Sequence, residues 1–150
     1  MFNPEFLFSF VIAFVLPAWA MLILAPRWSV TEKLVHSMLW PLVLGAVYVL
    51  TLVLAIGFGQ GTDGAGFTTI PAVRAIFASD IGVVTGWTHF LVFDLFVGSW
   101  EARDAKRRGF HHGLLIPCLF LTFMFGPVGL LLYVILRAAT KKGGWSLFED

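Results

Sequence analysis

The chain has 150 residues, 59% of them hydrophobic and 13% charged, with a net charge of +1 and a mean hydropathy of +0.88. A soluble domain carries about 25% charged residues, and a fold of this size has too little interior to hide so much Phe, Leu and Val, so the sequence reads as one integral membrane domain, 1–150. The near-neutral balance excludes the basic footprint of a nucleic-acid binder, and a lone cysteine, Cys118, excludes intrachain disulfides and thiolate metal clusters.

The predicted elements follow from charge-free runs. Residues 6–25 carry no charge and are long enough for a helix across a core of about 30 Å. Ala18-Trp19-Ala20 has the look of a cleavage site, but no Lys or Arg precedes the run and it continues to Leu24, which argues for a retained span. No transit peptide is expected, because the first Arg is Arg27. Residues 26–33 form a short loop, and a second span covers about 34–58. The Gly-rich GQGTDGAG follows, then TTIPAVRAIFAS, in which Ile70, Val73, Ile76 and Phe77 recur at helical spacing and predict a short interfacial helix. Ser79 and Asp80 provide an N-cap for a third span at about 81–101. After a loop carrying Arg103, Lys106, Arg107 and Arg108, a fourth span is predicted at 113–137, kinked at Gly126-Pro127. Lipid-exposed backbone must bond within its own segment, so the fold class is all-α with four transmembrane helices.

Counting Lys and Arg by side puts six near the first and third loops and four opposite, including Arg137, Lys141 and Lys142. The positive-inside rule then places those loops in the cytoplasm and both termini in the periplasm of a bacterial inner membrane.

The third span holds the polar residues. Asp94 sits about 10 Å inside it by helical rise, where a carboxylate costs about 2.5–3.5 kcal/mol and by default marks a functional site. Trp87, Asp94 and Glu101 repeat every seven residues, Phe90 and Gly98 fill in, and Asp104 extends the row, giving one aromatic and carboxylate face. The plain structural reading is a neutral Asp94 bonded to a facing helix, with tryptophans in the interfacial belt. His89 lies about 140° around the helix from Asp94, with Phe93, Phe96 and Trp100. Gly82 and Gly86 form a small-xxx-small pair for a neighbouring helix. At the third-loop end, Glu101 and Asp104 gather with His36, His111 and His112, but no spacing matches a metal-ligand pattern and no metal is expected. Haem between His36 and His89 is not expected either, since they lie at different depths.

The segments TTIPAVRAIFAS, GWTHFLVFDLFVGSWEARDA and LLIPCLFLTFMFGPVGLLLYVILR resemble the abscisic-acid-deficient-four family, which has plastid members in plants and relatives in bacteria. The W-x-H…D-L-F-x-G core followed by G-P-x-G-L carries the likeness, whereas the first two spans match only in hydrophobic pattern. The resemblance implies a place in xanthophyll metabolism, since plant members are required to make neoxanthin from violaxanthin, an epoxide-to-allene isomerisation. It carries over onto Trp87, His89, Asp94 and Asp104. Three readings stay open. One is a carotenoid isomerase with Asp94 and His89 as catalytic acid and base and Trp87, Phe90, Gly98, Glu101 and Asp104 as ligand contacts. The second is a protein that binds a carotenoid or related isoprenoid without chemistry. The third is a small subunit packed against a membrane-protein partner or a second copy of itself. No cofactor is firmly implied beyond a bound carotenoid.

Overall fold

The computed structural model describes residues 3–147. Seven helices follow in chain order: α1 (Pro4–Leu24), α2 (Ser29–Leu34), α3 (Leu39–Gly57), α4 (Ile70–Ile76), α5 (Asp80–Arg107), α6 (His112–Phe125) and α7 (Pro127–Ala139). Among the described residues there is no strand, so the fold is all-α as the hydropathy requires. Helices α1, α3 and α5 are each long and apolar enough to cross a membrane. The 28 residues of α5 span about 42 Å at 1.5 Å per residue, more than a hydrocarbon core.

Local chemistry sets the helix starts. The Ser37 hydroxyl accepts from the Leu39 amide at 3.2 Å, and Pro41 falls in the first turn of α3, where no intrahelical donor is needed. The second span therefore begins at Leu39 rather than residue 34, and the preceding stretch, expected as a loop, winds into the short α2. Thr69 caps α4 by accepting from the Ala72 amide at 3.3 Å. Ser79 does the same for α5 by accepting from Gly82 at 3.2 Å. Gly82 and Gly86 do permit a close approach, but to the carbonyl of Ile76 and the ring of Phe77 at the end of the short α4.

The helices divide into two compact units. The first comprises α1 up to Val15 together with Trp40–Val92; the second comprises Leu16–Leu39 and the chain from Phe93 onward. In the first unit Leu7, Leu54, Ile81 and Val84 form a core backed by Phe8, Leu50 and Ala55. The loop after α3 encloses a cavity of about 350 Å³ there, lined by residues that include Leu52, Ile56, Phe67, Ile76 and Thr85. In the second unit the largest fully buried side chains include Trp19, Arg137, Tyr133 and Phe110.

Where one kinked span was expected over 113–137, the second unit has two helices, α6 and α7, folded back on each other. Gly126 makes the reversal with φ +47° and ψ −95°, a conformation that costs a residue with a Cβ. Gly129 then lies against the Thr122 amide and the Cys118 carbonyl of α6, so close that any Cβ would collide with backbone. Tyr133, midway along α7, brings its ring within 5.4 Å of Phe110, which precedes α6. At 14 and 13 residues the two helices reach only about 20 Å each, short of a core of about 30 Å. They form a helical hairpin, neither arm of which is long enough to cross such a core by itself. Irregular backbone at such a tip is tolerated when protein buries it, and Gly126 is buried.

Candidate functional site

In the second unit the carboxylates of α5 form a row that faces the α6–α7 hairpin. Asp94 meets its tip: the carboxylate oxygen Oδ1 lies 2.5 Å from where a Cβ on Gly126 would stand. Asp94 is half-buried and its carboxylate has no hydrogen-bond or charge partner among the described residues. Seven residues on, Glu101 is fully buried, and both of its oxygens lie 3.0 Å from the Thr122 hydroxyl of α6.

Asp104, also fully buried, lies at the centre of a polar cluster. It accepts from the Tyr133 hydroxyl at 2.6 Å, from Nη1 of Arg137 at 2.8 Å and from Nε of Arg108 at 2.7 Å. Arg137 is buried as well and donates through Nη2 to the carbonyls of Gly144 and Ser146. Its guanidinium carbon lies 5.8 Å from the ring centroids of both Trp100 and Tyr133, within cation–π range. Arg137 Nε has no hydrogen-bond partner among the described residues, but the other contacts offset part of the cost of burying the two charges, and removing either partner would leave the other charge uncompensated.

The other expected site residues separate by environment. Gly98 lies beneath the ring of Trp19, whose Cη2 is 2.5 Å from a hypothetical Cβ, so its function is close packing. Trp87, Phe90 and His89 belong to the first unit and are exposed. The Trp87 ring lies 6.0 Å from Phe8, and the His89 ring lies 5.7 Å from Tyr48 and 6.2 Å from Phe90. Asp94 and His89 therefore fall in different units.

The imidazoles at the third-loop end do not gather with the carboxylates. His111 caps α6 by accepting from Gly113 at 3.1 Å, and Nε2 of His112 is 2.9 Å from the Ile23 carbonyl. Among the described residues no group of three or more His, Cys, Asp or Glu side chains is arranged to hold a metal. Arg137 and Tyr133 are the partners that sequence reasoning missed. The available signal was a lone cation closing the apolar run LLLYVILR, which needs a counter-charge if it is to enter a membrane protein's interior.

The same correction applies to the sidedness expected for the C-terminal residues. Arg137, expected across the membrane from the loop that follows α5, is ion-paired with Asp104 at that loop's end of the second unit.

Against known proteins, the profile of the ABA DEFICIENT 4-like family matches residues 6–133. One curated relative is the chloroplastic protein ABA DEFICIENT 4 of Arabidopsis thaliana, 26% identical over 131 residues that cover 83% of this chain. The match spans 57% of that relative's length. No solved structure matches the chain.

Proposed function

The chain belongs to the ABA DEFICIENT 4-like family, and from that premise we propose that it acts in carotenoid metabolism, opening an epoxy-carotenoid to an allenic alcohol. The reaction is an isomerisation. A proton goes to the epoxide oxygen, the C–O bond breaks, and a proton leaves the neighbouring polyene carbon, so composition is unchanged. Asp94 is the proposed acid. The observation that carries this reading is Asp94 itself, a carboxyl group far inside an apolar helix with no cation or hydroxyl bonded to it among the described residues. Asp104 and Glu101 have such partners and serve the fold.

The test supplies violaxanthin to the purified chain in detergent and follows allenic product by chromatography. Asp94→Asn is expected to lower turnover at least about 10²-fold, the usual weight of a general acid. Conversion at the parental rate by Asp94→Asn would sink the proposal.

A second reading, holding a carotenoid without chemistry, is favoured by the cavity of about 350 Å³ in the first unit, the unit that also exposes Trp87 and Phe90. Pigment that co-purifies with the parent and with Asp94→Asn, together with no turnover by either, selects this reading.

A further inference from the structure

The loop that follows α3 closes a cavity of about 350 Å³ against the start of α5, wholly within the first unit. Small-ligand sites span about 300–1,000 Å³, so this one stands at the lower end. It has room for a ring or for one end of a longer molecule. The deeper lining is polar in part: Thr85 is buried, and Thr62 and Ser79 are half-buried. Ile56 and Phe67 also line it, are exposed, and give it an apolar mouth. An apolar remainder of the ligand is therefore tolerated where it leaves the cavity.

The hydrogen bonds of the polar lining select the chemistry of the ligand. The Ser79 hydroxyl accepts from the Gly82 amide at 3.2 Å, and its own proton has no acceptor among the described residues. The Thr62 hydroxyl has no side-chain hydrogen bond among them. Thr85 donates to the Ile81 carbonyl at 2.7 Å and keeps its oxygen lone pairs. Donors at Thr62 and Ser79 thus stand in one cavity with acceptors at Thr62 and Thr85. A hydroxyl group, which both donates and accepts, suits that set. The lining has no Lys, Arg or His, and its one charge is the carboxylate of Asp63. A fatty acid or phosphate would enter unpaired beside a like charge, so an anionic head is disfavoured.

We propose that this cavity holds the hydroxyl-bearing ring at one end of a neutral isoprenoid, with the remaining chain leaving past Ile56 and Phe67. The class of the ligand rests on the carotenoid reading. The cavity adds which end is held, which hydroxyls hold it and why an acid is refused.

The experiment uses the full chain with 13C-methyl-labelled threonine in a neutral detergent, the Thr62 and Thr85 signals being assigned with Thr62→Val and Thr85→Val. The probes, titrated separately, are 3-hydroxy-β-ionone, β-ionone and decanoate. The hydroxylated ring is expected to shift the Thr62 and Thr85 signals saturably, while Thr140, in the second unit, does not move. The same ring without the hydroxyl, β-ionone, is expected to bind about three- to tenfold more weakly, the worth of a neutral hydrogen bond. Thr62→Val should bring the hydroxylated ring down towards β-ionone and leave β-ionone itself unchanged, a pattern that unfolding cannot produce. No saturable shift at Thr62 and Thr85, equal affinity for the two rings, or tighter binding of decanoate would overturn the proposal. None of the probes carries an epoxide, so such a failure leaves the Asp94 turnover test standing. Ring binding by a parent that neither carries pigment nor turns over violaxanthin would count against the carotenoid reading and leave the hydroxyl-selective cavity in place.

Discussion

Arg137 and Asp104 show why a charged residue can be fully buried in so apolar a chain. Either charge alone would bear the full cost of leaving water, whereas together, with Arg108 and Tyr133 bonded to the same carboxylate, the cost is partly offset. Asp104→Asn keeps the shape but removes the negative charge from beside two guanidinium groups. We expect it to destabilise the protein by about 3–5 kcal/mol, read as a large fall in the thermal midpoint in detergent. The double variant Asp104→Leu/Arg137→Met should regain much of that loss, because a buried ion pair exchanged for apolar side chains is often neutral. A double variant no better than the single one would show that packing around the cluster matters more than charge. The sequence made one half of this site legible. The seven-residue spacing of Trp87, Asp94 and Glu101, extended three residues further to Asp104, put the carboxylates in one row, and the structure turns that row toward α6 and α7. Periodicity within one helix says nothing of what a distant segment brings opposite it, so Thr122, Tyr133 and Arg137 stayed invisible. For the same reason the position of Gly98 in the row is legible in the sequence, whereas the Trp19 ring packed against it is not.

At the scale of elements, the α6–α7 hairpin depends on two glycines for different reasons. Gly126 supplies the positive φ of the reversal, and Gly129 lets the returning helix touch the backbone of α6. Gly126→Ala should cost at least about 1–3 kcal/mol, because a Cβ strains this positive-φ backbone and would also press on the Asp94 carboxylate, whose Oδ1 stands 2.5 Å from its place. Gly129→Val should cost at least about 1–3 kcal/mol through overpacking, since rigid backbone rather than a flexible side chain is in the way. Gly45, in α3, has nothing within 4 Å of a hypothetical Cβ, so Gly45→Ala should be neutral or stabilising by up to about 1 kcal/mol. Thermal melts of the three variants in one detergent test the ordering; a Gly129→Val melt no lower than that of Gly45→Ala would contradict the packed hairpin. Hydropathy located α1, α3 and α5 because each is long and nearly uncharged, helical spacing of apolar residues located α4, and the Ser79-Asp80 cap located the start of α5. The reversal was not legible, because a run from Leu114 to Leu136 is equally apolar whether it crosses a membrane or turns back within it. Gly126-Pro127 pointed to a break but carried no measure of its angle.

The hairpin changes how the whole molecule distributes its charge. Nine of the ten Lys and Arg residues, all but Arg74, belong to the second unit. Several are tied to one end of it: Arg27 donates to the Phe110 carbonyl at 3.1 Å, Lys106 pairs with Glu32, and Arg137 pairs with Asp104. Lys142 reaches the same end, with Nζ 3.9 Å from where a Cβ on Gly109 would stand. Residues 137–142 therefore share a membrane side with residues 103–110, and the six-to-four division that followed from a fourth span gives way to a nearly one-sided one. The positive-inside rule then acts on a large asymmetry and predicts that this end stays on the side from which the chain inserts. The prediction is a labelling pattern in a Cys118→Ser background, where single cysteines at Arg107 and Lys141 are exposed to a membrane-impermeant maleimide. In inverted vesicles both should react, and in right-side-out vesicles neither should. Reaction of the Lys141→Cys variant from the side opposite to Arg107→Cys would restore a fourth crossing and remove Arg137 from Asp104.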